Sequence, residues 1–131
     1  MRQPRNPDSI HPPLAGYSHQ IELTGRQRLL VFSGQVGMTR EGRVPDEAAE
    51  QLELALDNVL RNLEAAGMDA RDLVKLTFYL TERIDPEQRA AILAQRLAGR
   101  TPCMTLVLVA GLASPALKVE VDAWASGDAT A

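Results

Sequence analysis

The stretch DEAAEQLELALDNVLRNLEAAG at residues 46–67, followed by VKLTFYLT at residues 74–81, decides the fold. In the first, Ala48, Leu52, Ala55, Leu56, Val59, Leu60 and Leu63 recur at steps of three and four. That spacing predicts one apolar stripe along an amphipathic helix. Glu50, Glu53, Asp57, Arg61 and Glu64 take the other side. Asp46 and Glu47 suit the start, where the helix dipole favours negative charge. Gly67 is a natural stop because it adopts the left-handed conformation without a Cβ penalty. In the second stretch the period is two. Val74, Leu76, Phe78 and Leu80 face one way and Lys75, Thr77, Tyr79 and Thr81 the other, which predicts a strand with one buried face.

Outward from this pair, Asp85-Pro86-Glu87 reads as an N-cap, a first-turn proline and a first-turn acid. The helix it opens carries Ala90, Leu93, Ala94 and Leu97 as its predicted buried stripe and ends at Gly99. Thr105 to Ala110 is apolar on both faces, as in a central strand. The last strand sets Val119, Val121 and Ala123 against Lys118, Glu120, Asp122 and Trp124. On the other side of the deciding stretch, Tyr17–Leu23 and Arg28–Phe32 predict a hairpin across Thr24–Gln27. Pro4, Pro7, Pro12 and Pro13 make residues 1–14 an extended arm. Residues 15–127 form a single domain, and 128–131 a tail. The predicted class is α/β (α+β), in the order β-β-α-β-α-β-β, with a mixed sheet and two helices on one face. The other face carries Lys75, Thr77, Tyr79, Lys118, Glu120 and Asp122, and is either solvated or covered by further subunits.

Composition bounds the function. The 131 residues are 45% hydrophobic and 24% charged, enough for one core. The net charge of −3 and the lack of a basic-aromatic strip argue against a nucleic-acid binder, which needs dense positive charge to displace phosphate counterions. A single cysteine, Cys103, excludes an intrachain disulfide and a multi-thiolate zinc site. No apolar run approaches the roughly 20 residues of a membrane span. Met1 to Asp8 lacks the apolar region of a secretory signal, so the expected location is the cytoplasm, with no membrane partner.

Five short segments, in order, carry a resemblance. They are Gly16-Tyr17-Ser18-His19, Val31-Phe32-Ser33-Gly34-Gln35, Asn58-Val59-Leu60 through Ala65-Ala66-Gly67, Val74 to Thr81, and Val119-Glu120-Val121-Asp122-Ala123. Together they resemble the Rid (YjgF) family of reactive intermediate/imine deaminases. The resemblance implies a chorismate-mutase-like fold and a homotrimer whose sheets form an inner barrel, with helices outside and a small-molecule pocket at each subunit interface. It also implies hydrolysis of enamines and imines such as 2-aminoacrylate, with no metal or cofactor.

On the matched positions, the resemblance assigns Glu120 to positioning or activating water. Tyr17, Ser33, Gly34, Met104 and Thr105 become ligand-binding residues. Met104 is the departure: in Thr101-Pro102-Cys103-Met104-Thr105, anchored on Pro102, it stands where deaminating members carry the arginine that grips the substrate carboxylate. A guanidinium makes a planar two-point contact with a carboxylate, and methionine makes none. The expectation is a divergent member acting on an enamine or imine other than 2-aminoacrylate, or a non-catalytic trimer that binds a metabolite or partner. The residues themselves leave other readings open. Glu120 could pair with Lys118 or Lys75, Tyr17 could pack at a subunit boundary, and Ser33 could be a plain strand end. A Cys103–His19 nucleophile and base would lack a third orienting group.

Overall fold

The computed structural model describes residues 1–129. Its strands are β1 (Arg2–Arg5), β2 (Gln20–Leu23), β3 (Gln27–Val31), β4 (Gln35–Val36), β5 (Leu73–Leu80), β6 (Cys103–Leu108) and β7 (Val119–Asp128). Helix α1 (Ala48–Ala65) precedes β5, and α2 (Pro86–Arg96) joins β5 to β6. Gly67 takes φ +72°, ending α1 as its position predicts. Asp85 accepts from the Gln88 N–H and Pro86 opens α2.

The main sheet runs β3-β7-β5-β6, with β4 also on β7. β5 and β6 are parallel and the other pairings antiparallel, so the sheet is mixed. It is also open. β3 and β6 lie at opposite ends and do not pair, so among the described residues no sheet closes into a barrel. The expected inner barrel and its chorismate-mutase-like label are therefore corrected: closure needs a hydrogen-bonded partner at every edge, and both ends here lack one.

The core lies between the sheet and α1. Leu52, Ala55, Leu56, Val59 and Leu63 meet Leu73, Leu76, Phe78, Leu80, Val119, Val121, Ala123 and Ala125. α2 packs beside α1, where Arg96 reaches Glu53 at 3.2 Å and Asp57 at 3.4 Å. Among the described residues, no helix is long and apolar enough to cross a membrane.

Several local expectations change. β2 and β3 do not form a hairpin: β2 pairs with β1 in a separate two-stranded sheet, and β3 pairs with β7. The proline-rich arm is thus extended but partly laddered, and it adds nothing to the core cluster. A bulge between Leu73 and Lys75 turns Leu73, not Val74, into the core. β6 is an edge strand despite its apolar run, with Leu106, Val107 and Leu108 exposed. On α2, Ile92 is buried while Ala90 and Ala94 are exposed. Of the expected tail at 128–131, Asp128 closes β7 and residues 130–131 lie outside the described residues.

Candidate functional site

The open face of the sheet is assembled by register. Tyr79 lies between Glu120 and Val107, Thr77 between Asp122 and Thr105, and Lys75 between Trp124 and Cys103. Val31 stands opposite Trp124 and Val36 opposite Glu120. Gln35 pairs with Val121, so between Val31 and Gln35 the residues Phe32, Ser33 and Gly34 oppose Asp122 and Ala123, three against two. This bulge reverses the pleat. Gln35 turns to the helix side, where its Oε1 accepts from Asn62 Nδ2 at 3.1 Å. Asn58 Nδ2 holds the segment by donating to the Val36 and Met38 carbonyls, each at 3.0 Å.

The bulge brings Gly34 against Glu120. A Cβ at Gly34 would come within 2.5 Å of Glu120 Cδ, so only glycine allows the carboxylate its place. The two pairings open to Glu120 from sequence are both absent. Lys118 pairs with Glu82 at 3.1 Å, and Lys75 Nζ donates to Thr105 Oγ1 at 2.6 Å. Glu120 is half-buried, and its carboxylate has no ion-pair partner among the described residues. Beside it, Tyr79 donates to Asp122 Oδ2 at 2.9 Å. That hydrogen bond, then burial and the Asp122 and Glu120 charges, raise the Tyr79 pKa above its ordinary value.

The remaining predicted residues gather elsewhere. Tyr17, Met104 and Thr105 line a second recess with His11, His19, Lys75 and Cys103. The Leu14 N–H donates to the Tyr17 hydroxyl at 3.1 Å. The Tyr17 ring meets His19 edge-on at 5.6 Å, and His19 meets His11 at 5.0 Å. Ser18 ties this loop to the entry of β6, its Oγ donating to the Thr101 carbonyl at 2.7 Å. Burial pushes the Cys103 thiol upward in pKa against the pull of Lys75 and Arg2, which keeps it protonated and a poor nucleophile. Met104 and Thr105 are neighbours on a strand and point to opposite faces: Thr105 shares the open face, while Met104 packs toward the core and α2.

Within one chain the predicted residues therefore fall in two groups: Glu120 meets Gly34, next to Ser33 in the chain, and Tyr17 and Thr105 line the other recess. Glu120 and Thr105 lie two strands and two residues apart, about 12 Å between Cα atoms at the usual strand spacing and rise. Among the described residues, no group of three His, Cys, Asp or Glu could hold a metal ion.

Residues 9–126 match the family described as Endoribonuclease L-PSP. The crystal structure of YyfB from Yersinia pestis, a protein of the conserved Rid family, superposes with a TM-score of 0.80 at 31% identity, covering 95% of this chain and 97% of that one. The chain belongs to the Rid (YjgF) family. Within the family, it is 35% identical over 71 residues to a RutC family protein of Aquifex aeolicus, covering 53% of this chain and 54% of that protein. It is 36% identical over 58 residues to the 2-iminobutanoate/2-iminopropanoate deaminase of Escherichia coli K12, covering 44% and 45%. The chain thus spans about half the length of the curated relatives it matches.

Proposed function

We propose that this Rid-family chain hydrolyses an enamine or imine at a site completed by a second copy of itself. The unpartnered Glu120 carboxylate, seated against Gly34, carries this reading. A protonated C=N bond is already electrophilic, so hydrolysis needs little beyond a positioned water and a base. Glu120 accepts a proton as water adds to the carbon. The proton passes to the nitrogen, ammonia leaves, and a carbonyl compound remains. No metal or cofactor takes part. The name of the Escherichia coli relative, an iminobutanoate/iminopropanoate deaminase, supports the reaction class.

Within one chain the two groups stand two strands apart, about 12 Å between the Cα atoms of Glu120 and Thr105. The proposal is that the Ser33–Gly34–Glu120 side of one protomer faces the Tyr17–Thr105 side of the next. The apolar residues left on the open face support such packing. Leu29 is 58% exposed, Val31 57% and Trp124 45%, more than a sheet face in water favours. Three copies arranged head to tail close such heterologous contacts, and the homotrimer is the proposed state.

Met104 sets this chain apart as a divergent member whose substrate is not held by an arginine at that position. The same observation favours a second reading, a trimer that binds a metabolite without turning it over. Ammonia release across a panel of imines generated in situ tests both readings. Turnover that falls at least about 100-fold in Glu120→Gln fits general-base catalysis. No turnover with any imine, together with saturable binding of a 2-oxo acid, fits the binder.

A further inference from the structure

The arm lies against the body of the protein through Arg2. Its guanidinium donates to the carbonyls of Arg71 and Leu73, the latter at 2.6 Å. That contact brings β1 onto the short turn Ala70–Asp72 between α1 and β5. A recess of about 230 Å³ opens beside it, and three of the residues lining it are arginines, Arg2, Arg71 and Arg100. The three come from separate segments: the arm, the turn, and the link from α2 to β6. Pro4, Ile21, Leu73 and Pro102 form its apolar side, and no acidic side chain lines it.

These cations lack a full set of counter-charges. Asp69 accepts from Nε and Nη2 of Arg71, which leaves Nη1 uncommitted. Among the described residues, Arg2 and Arg100 have no ion-pair partner. Burial lowers the Arg2 pKa, the Asp72 charge opposes that, and the Arg100 charge lowers it further. Hydrogen bonds from Arg71 depress the Asp69 carboxyl, and the Arg100 charge adds to them. Arg100 therefore lies within electrostatic reach of both sides of the Arg2–Arg71 contact. The backbone sets its place. Ala98 and Gly99 take φ of 52° and 76° in succession, and the Arg100 N–H closes the turn onto the Leu97 carbonyl at 2.9 Å. A non-glycine residue such as Ala98 is strained there and persists only where its surroundings hold it.

We propose that this recess binds a small tetrahedral oxyanion, a phosphate ion or the head of a phosphomonoester, among Arg2, Arg71 and Arg100. Like charges held together in a partly desolvated recess repel, and a dianion relieves that repulsion. Guanidinium donors arriving from three segments suit oxygens that point in several directions, whereas a carboxylate offers two in one plane. The volume lies below the about 300–1,000 Å³ usual for organic ligands, which leaves room for the head alone. The recess is separate from the site proposed for imine hydrolysis: none of Tyr17, Ser33, Gly34, Met104, Thr105 and Glu120 lines it.

Calorimetric titration of the full chain with inorganic phosphate, ethyl phosphate and acetate, at one pH and one ionic strength, tests it. Phosphate should bind saturably and at least about tenfold more tightly than acetate, the worth of one further charge-assisted contact. Arg100→Gln, at an exposed side chain with no ion-pair partner, should weaken phosphate by about tenfold or more, and so should Arg2→Gln. Neither residue belongs to the core cluster, so both variants should keep the native circular dichroism. Arg40→Gln, exposed and outside the recess, should leave phosphate affinity unchanged. Ethyl phosphate bound as tightly as phosphate, or more so, identifies the head of an ester as the ligand; weaker binding identifies the free ion. Absence of saturable phosphate binding, acetate bound as tightly, full affinity surviving in Arg100→Gln, or an equal loss in Arg40→Gln would each overturn the proposal.

Discussion

At the scale of single residues, two glycines do different jobs. A Cβ at Gly34 would strike Glu120, a side chain with room to swing away. A Cβ at Gly37 would lie 2.5 Å from both the Cα and the carbonyl oxygen of Gln51, which are helix backbone. Gly34→Ala should therefore leave the melting temperature near native and abolish the proposed hydrolysis. Gly37→Ala should cost about 1–3 kcal/mol of overpacking, read by urea denaturation. Met104 gives a third test. If a substrate carboxylate relies on arginine there, native ammonia release from 2-aminoacrylate should fall more than about tenfold below that of an arginine-bearing relative, a barrier difference above ~1.4 kcal/mol. A native rate within tenfold would mean that another cation anchors the substrate. Lys75, Arg89 and Arg100 are the cations that line the recess and the cavity beside Met104.

At the scale of elements, the long amphipathic helix and the alternating β5 were legible because burial imposes their periods directly. The role of Gln51 leaves no such mark, although the residue sits at a stripe position between Ala48 and Ala55. It is fully buried, donating to the carbonyls of Pro45 at 2.8 Å and Ala116 at 3.0 Å and accepting from the Lys118 N–H at 2.8 Å. Gln51→Leu strands those backbone groups and should cost about 2–4 kcal/mol. The partners of β2 and β3 were illegible for another reason: two adjacent strands read as a hairpin unless a distant strand competes, and β7 competes successfully for β3. The bulge at Phe32–Gly34 left no mark on the local pattern either, so the meeting of Gly34 with Glu120 could be expected only from resemblance. Between α1 and β5, Asp69 and Asp72 form a reciprocal cap on the short turn at Ala70–Asp72. Hydrogen bonds from the Arg71 side chain, then from its backbone N–H, hold the Asp69 carboxyl below its ordinary pKa. That stabilisation is complete above the unfolded value of about 4 and is lost as pH falls through the lower folded value. The melting temperature should therefore decline more steeply below pH ~4 in the native chain than in Asp69→Asn. The difference should be small, because the group is exposed.

At the scale of the molecule, the open face and the apolar edge β6 raise the same question of what covers them. Under the proposed assembly, light scattering on an eluting peak gives three times the chain mass. Trp124, the sole tryptophan, reports the contact, since it stands opposite Val31 on the exposed face. Val31→Glu should yield the single-chain mass and shift tryptophan emission to the red, with helix content unchanged. A native protein that elutes as a single chain at micromolar concentration would remove the interfacial site and leave the two groups of residues unconnected.

The position of β7 bears on how the protein is made. β3, β4 and β5 all pair with it, and of the main sheet's strands only β6 does not. Translation delivers Val31 long before its partner Trp124 exists. At about 5–20 residues per second, the intervening chain takes roughly 5–20 seconds to emerge. Throughout that interval Leu29, Leu30, Val31 and Phe32 form a nascent β-prone segment with no sheet to join, and β5 lacks its antiparallel neighbour. The main sheet therefore cannot be completed until β7 has been synthesised, which makes its assembly a late step.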